Sequence, residues 1–185
     1  LHLSIRRQRQ MCIRDSIRHG QFMQLSLPKI GEAPISISGF GDGYADFTIR
    51  KVGKVTDELF NLKKGSNIFI RGCYGNGWPT EQLKGKNVVI IAGGTGVSPV
   101  KSLINQLYSE PGYAKEIYLI LGFKNSQSIL FTDELEQWKQ AGHFHVICTL
   151  DNEDYPGWNK GMVTEFVKEI PFSSFGGNYE CLVVG

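Results

Sequence analysis

The sequence predicts two lobes, a small antiparallel β-barrel followed by a parallel-sheet α/β domain, on three observations. Residues 20–86 read as short strands at even spacing with turns between them, the pattern of a small barrel. From Asn87 onward strands alternate with helices, which means a parallel sheet with helices on its faces. Between the two rhythms, residues 87–100 join a strand, a glycine turn and a helix start without a break.

That last stretch organises the chain. Val88 to Ile91 is an apolar run too short for a helix and rich in β-branched residues, as in a strand buried on both faces. Gly93, Gly94 and Gly96, with Thr95 among them, remove side chains where the strand ends and let another group approach the backbone. Ser98 is placed to cap a helix that opens with Pro99 at its first position. Strand, glycine turn and helix N-terminus together suit a phosphate group, because unpaired N–H groups and the positive end of the helix dipole converge there. A tight turn that binds nothing is the plain alternative. The glycine spacing matches neither G-x-G-x-x-G nor a P-loop, since no lysine follows Gly96.

In the first lobe, strands are predicted over 22–27, 35–38, 45–52 and 67–71, with a helical turn capped by Thr56. In the second, strands fall at 87–92, 116–121, 144–149 and 180–184, and helices at 99–109, 133–141 and 162–170. Thr132 is the expected cap of the middle helix. The lobes divide as 20–86 and 87–185.

With 41% hydrophobic and 21% charged residues, the chain has enough apolar surface for a core. No apolar run approaches the ~18 residues of a membrane span. The net charge of +2 conceals a basic start: residues 1–19 carry five arginines against Asp15, which leaves −2 for the rest. No aromatic residue interleaves these arginines, so nucleic acid is not the expected partner, and 1–19 is expected to be disordered or foreign to the fold. Cysteines 12, 73, 148 and 181 form no C-x-x-C pair, which argues against zinc and for a reducing, cytoplasmic setting. Cys148 reads as a small core residue. No histidine stands out as an acid or base.

Over most of residues 20–185 the motifs resemble the ferredoxin–NADP reductase superfamily, which implies a Greek-key flavin-binding barrel and an NAD(P)-binding domain. The family's R-x-Y-S flavin motif is matched by residues 33–36, where Pro34 and Ser36 are kept, Ile35 replaces tyrosine and Ala33 replaces arginine. Thr48, Ile49 and Arg50, then Gly53, Val55 and Thr56, resemble the second flavin-contacting strand and its phosphate-binding turn. Gly75, within residues 72–78, matches the segment that links the lobes. Gly93, Gly94, Thr95, Gly96 and Pro99 match the pyridine-nucleotide loop; Gly122 and Lys124 lie where relatives hold the adenosine ribose; Gly161 ends a W-x-x-G turn. Segments 31–36, 48–56, 75–77 and 130–133 resemble the B subunits of anaerobic sulfite reductases. The isoleucine at 35 is also similar to electron-transfer subunits of dihydroorotate dehydrogenase.

The resemblance implies FAD and NAD(P)H as cofactors, with Ser36 catalytic through a hydrogen bond to the flavin N5. It implies catalytic and iron–sulfur partner subunits, with no nucleic acid or membrane partner. Relatives carry more barrel strands before Phe22 and a cysteine-rich 2Fe–2S tail beyond the position of Gly185, so both lobes are expected to be partial. The leading function is hydride transfer from NAD(P)H to flavin and one-electron relay toward sulfite reduction. A dihydroorotate dehydrogenase or hydrogenase gamma subunit, or a non-catalytic nucleotide-binding module, are the alternatives.

Overall fold

The computed structural model of the protein describes residues 2–6 and 17–185. The chain forms two compact units, Leu1–Trp78 and Pro79–Gly185.

The first unit holds β1 (His2–Arg6), β2 (Phe22–Leu27), β3 (Gly31–Gly41), β4 (Tyr44–Thr48), helix α1 (Lys54–Asn61) and β5 (Phe69–Tyr74). They pair antiparallel in the order β1-β4-β3-β2-β5. Strands β2, β3 and β4 are successive hairpins, and β5 returns beside β2, which is a Greek key. A register shift between Ile37 and Gly39 marks a bulge that bends β3. Met23, Leu25, Leu27, Ile37, Ala45, Phe47 and Ile49 alternate inward, and Leu59 of α1 closes their core.

The expectation for residues 1–19 is corrected where they are described. Residues 2–6 run in register along β4, from His2 opposite Thr48 to Arg6 opposite Tyr44. Ile17 packs on the core, and the Trp78 N–H donates to the His19 carbonyl at 2.6 Å. The strand is held by backbone groups of β4 that would otherwise form an open edge, and its residues His2 to Arg6 alternate polar and apolar over only five positions inside the basic run. The remaining arginines of the basic run, at 7, 9 and 14, lie outside the described residues.

The second unit contains β6 (Asn87–Gly93), α2 (Val97–Ser109), β7 (Ile117–Phe123), α3 (Thr132–Gln140), β8 (Phe144–Leu150), β9 (Asn159–Lys160) and β10 (Tyr179–Val184). All pairs are parallel, in the order β10-β6-β7-β8-β9. Because the chain leaves β6 in one direction and returns on its other side, the strand order reverses between β6 and β10. Val88 to Ala92 is buried throughout, as a strand covered on both faces must be. Helix α2 packs on β6 and α3 on β8, while Val163, Phe166, Val167, Ile170 and Phe175 cover the other face.

Three local expectations change. The last predicted helix is a 3₁₀ helix over Val163–Glu169, whose apolar side chains three apart line up on the sheet. Helix α2 begins at Val97, so Ser98 is a helical residue and not its cap. Thr132 likewise is the first residue of α3, after Phe131 in a left-handed conformation (φ 60°). The units also divide earlier than residue 86. Leu83 is fully buried, Gly85 N–H donates to the Tyr113 carbonyl at 2.8 Å, and the Lys86 ammonium meets Glu180 at 2.5 Å.

Phe47 is completely enclosed by the first core. Phe47→Ala is expected to remove about 3–5 kcal/mol of stability, read as a lower urea midpoint for the first unit.

Candidate functional site: two turns before helices

At the end of β6 the backbone is extended at Gly93 (φ −114°) and left-handed at Gly94 (φ +54°). A single 3₁₀ turn over Gly94–Gly96 then leads into α2. The glycines serve different ends. A Cβ at Gly93 or Gly94 would meet nothing within 4 Å, so the turn is open to an approaching group there. A Cβ at Gly96 would lie 2.9 Å from the Val184 carbonyl oxygen, so that glycine lets the end of β10 close on the helix start. Thr95 is exposed between them, and Pro99 is the third residue of α2.

The carboxyl ends of the neighbouring strands come to the same level. Gly93 is the register partner of Gly122, and Gly122 of Thr149. A Cβ at Gly122 would sit 2.4 Å from Val163 Cγ1 and 2.8 Å from Thr149 Oγ1, so this glycine is fixed by packing. Lys124 is exposed one residue past β7. Gly161 has φ +131°, and a Cβ there would meet the Glu165 carboxylate at 3.0 Å; it belongs to the backbone turn before the 3₁₀ helix. Cys148, in β8, is buried, and burial pushes its thiol up to about 11, consistent with a packing role.

Sequence reasoning does not find the orphaned groups at this end. Ser98 Oγ, in the first turn of α2, and Thr149 Oγ1, at the end of β8, are buried without a hydrogen-bond partner among the described residues. Such hydroxyls carry a desolvation cost unless something pairs with them. With the open Gly93 and Gly94 backbone, they fit a polar ligand with phosphate groups, such as a nicotinamide dinucleotide.

In the first unit, cross-strand pairing sorts the predicted residues onto two faces. Ile35 is the partner of Met23 and packs on the core, and Ile49 is buried within it. Any contact these two make with a ligand is therefore through the main chain. Pro34 and Ser36 lie on the opposite face, paired with Gln24 and Phe22. Thr48 donates to Ser38 Oγ at 3.1 Å, which ties β4 to β3. Gly75 (φ +87°) is exposed, and its carbonyl accepts the Gln21 side-chain amide at 2.8 Å.

The turn into α1 differs from expectation at Thr56. Its hydroxyl accepts the Val52 and Gly53 N–H groups at 2.9 and 3.0 Å and donates to the Gly53 carbonyl at 2.9 Å. It is buried and saturated, so it builds the turn and is not presented to a ligand. Gly53 is extended and exposed, and Val55 packs on the core. Arg50, Lys51 and Lys54 are all exposed around this N-terminus. Cations there oppose the helix dipole, by about 0.3–1 kcal/mol each. A bound anion reverses the sign, so the residues present fit a pyrophosphate. Among the described residues no group of three His, Cys, Asp or Glu is arranged to hold a metal ion.

Residues 90–185 match the family described as the oxidoreductase NAD-binding domain, and the chain belongs to that family. The gamma subunit of sulfhydrogenase 1 from Pyrococcus furiosus is 33% identical over 160 residues, 83% of this chain and 54% of that protein. A probable dihydroorotate dehydrogenase B (NAD(+)) electron transfer subunit from the same organism is 35% identical over 162 residues, 88% of this chain and 58% of its own. The chain thus spans little more than half the length of these curated relatives. Among solved structures, a ferredoxin–NADP+ reductase from Neisseria gonorrhoeae with bound FAD and NADP superposes with a TM-score of 0.77 at 15% identity, over 98% of this chain and 77% of that one. The fold is that of the ferredoxin–NADP reductases. Among the described residues no helix is long and apolar enough to cross a membrane.

Two substitutions separate these roles. Gly96→Ala forces a methyl group against the Val184 carbonyl and is expected to lower stability by about 1–3 kcal/mol and to weaken binding of a nicotinamide dinucleotide, read by thermal melting and by nucleotide fluorescence. Thr56→Ala removes the hydroxyl that closes the α1 turn and is expected to cost about 1 kcal/mol, read by chemical denaturation without any ligand present.

Proposed function

We propose that this chain is the flavin- and nicotinamide-binding part of an electron-transfer subunit, an NAD(P)H-dependent flavin oxidoreductase. The observation that carries this reading is the repetition of one device in both units: a glycine turn ahead of a helix N-terminus, open to an anion. In the second unit Gly93 and Gly94 would seat the pyrophosphate of NAD(P)H against the start of α2, with Ser98 and Thr149 offering their unpaired hydroxyls. In the first unit the amides at the start of α1, with Arg50, Lys51 and Lys54, would seat the pyrophosphate of FAD.

When bound, a flavin accepts a hydride and gives up electrons one at a time, which is the chemistry the protein must position. Ser36, on the outward face of β3, would donate a hydrogen bond from its hydroxyl to the flavin N5. Thr48 and Thr56 hold their own strands and turn, and so fix where the cationic loop stands. The terminal acceptor we assign is sulfite, reached through an iron–sulfur partner, on the similarity of segments 31–36 and 48–56 to sulfite reductase B subunits. A hydrogenase or dihydroorotate dehydrogenase partner is the second reading, supported by the names of the two relatives above.

The test is anaerobic reduction by NADH of the longer protein reconstituted with FAD. Bleaching of the flavin absorbance is the expected outcome; a flavin that is bound but stays oxidised would overturn the proposal. Replacing Arg50, Lys51 and Lys54 together with glutamine is expected to weaken FAD retention by at least about tenfold, read by equilibrium dialysis, with secondary structure unchanged.

A further inference from the structure

The loop that follows β7 is pinned by a carboxylate from another loop. Glu153, in the segment after β8, accepts the Ser126 backbone N–H at 2.7 Å and the Ser126 hydroxyl at 2.8 Å. The backbone bond first, and the hydroxyl bond second, hold the Glu153 carboxyl below its ordinary range, so it is ionised at neutral pH. The Asp151 N–H donates to the Phe123 carbonyl at 3.0 Å, which draws the whole 151–153 segment against the end of β7.

The position of this loop gives the contact its meaning. Strand β7 is the immediate neighbour of β6, with Gly122 opposite Gly93. In an open parallel sheet, a dinucleotide whose pyrophosphate sits on the first strand–helix turn sends its adenosine ribose toward the carboxyl end of the adjacent strand. An acid there accepts a free 2′-hydroxyl, whereas a cation accommodates a 2′-phosphate. Around this loop the charge is mainly negative. Residues 151–154 carry Asp151, Glu153 and Asp154, and Lys160 is engaged with Asp154 at 2.7 Å. Lys124 is the one basic residue in 122–128.

We infer that the second unit is built for NADH and against NADPH, with Glu153 as the specificity-determining residue. Its carboxylate occupies both Ser126 donors, so that they are not available to a 2′-phosphate, and it meets that phosphate with like charge. The inference rests on the Gly93–Gly96 turn being the dinucleotide seat proposed above.

The experiment titrates NADH and NADPH separately into the chain, following nucleotide fluorescence, with flavin retention measured in parallel. The expected result is a Kd for NADH at least about tenfold below that for NADPH, since like charges at a site cost affinity even when solvent screens them. Glu153→Gln, which keeps an acceptor for Ser126 and loses the charge, is expected to shrink that gap, chiefly by tightening NADPH. Lys124→Ala is expected to leave the preference for NADH in place. Equal affinities in the unaltered chain, tighter NADPH, or a gap that survives Glu153→Gln would each overturn the inference while leaving the proposed function intact. Failure of both nucleotides to bind would overturn the seat itself, and the inference with it.

Discussion

A helix that starts hard against the end of a parallel strand needs a place where two backbones nearly touch. In the second unit that place is Gly96, where a side chain would lie 2.9 Å from the carbonyl of Val184. Because β10 pairs residue by residue with β6, the close approach fixes the helix start relative to two strands at once. Gly93 and Gly94 are then free to leave their backbone open, since packing does not require them to fill space. Removing the approach at Gly96 would shift the start of α2, and with it the buried Ser98 hydroxyl and the strand-end geometry on which any phosphate contact depends.

The first unit reaches a comparable turn by different chemistry. There a threonine hydroxyl, not a backbone contact, sets the turn, by taking two N–H groups and giving its proton to the Gly53 carbonyl. The consequence is that Thr56 is unavailable to a ligand, and the cations that flank it are left at the surface. A structural residue at the centre and charged residues around it is a sensible division of labour. The group that positions the turn cannot also be displaced by whatever the turn binds.

Much of this was legible in the sequence, for identifiable reasons. The apolar run at Val88 to Ile91 and the break at Gly93 are both strong local signals, and β6 and α2 follow from them within two residues. The alternation in β2 predicts Phe22 to Leu27 with the observed limits, because one face is core and the other is not. Other features depend on partners distant in sequence. Strand β1 forms on the edge of β4; its five residues alternate polar and apolar, but nothing in so short a stretch names its partner. The role of Thr56 was visible as a cap but not as a saturated one, since that depends on whether Val52 turns its N–H inward. Glu153 and Ser126 lie 27 positions apart, and only the register of β7 with β8 brings their loops together.

The replacement of the family arginine and tyrosine by Ala33 and Ile35 also has a physical reading. Both residues are cross-strand partners of core side chains, Ala33 of Leu25 and Ile35 of Met23. On that face an arginine would have to carry its charge past the core of α1 and β2, whereas alanine and isoleucine add to the apolar surface there. The charge that a flavin pyrophosphate requires must then come from elsewhere in the unit. Arg50, Lys51 and Lys54 stand at the turn into α1, whose helix dipole already favours an anion, so on the proposed reading the cation has moved from a strand, where it competes with packing, to a loop, where it does not.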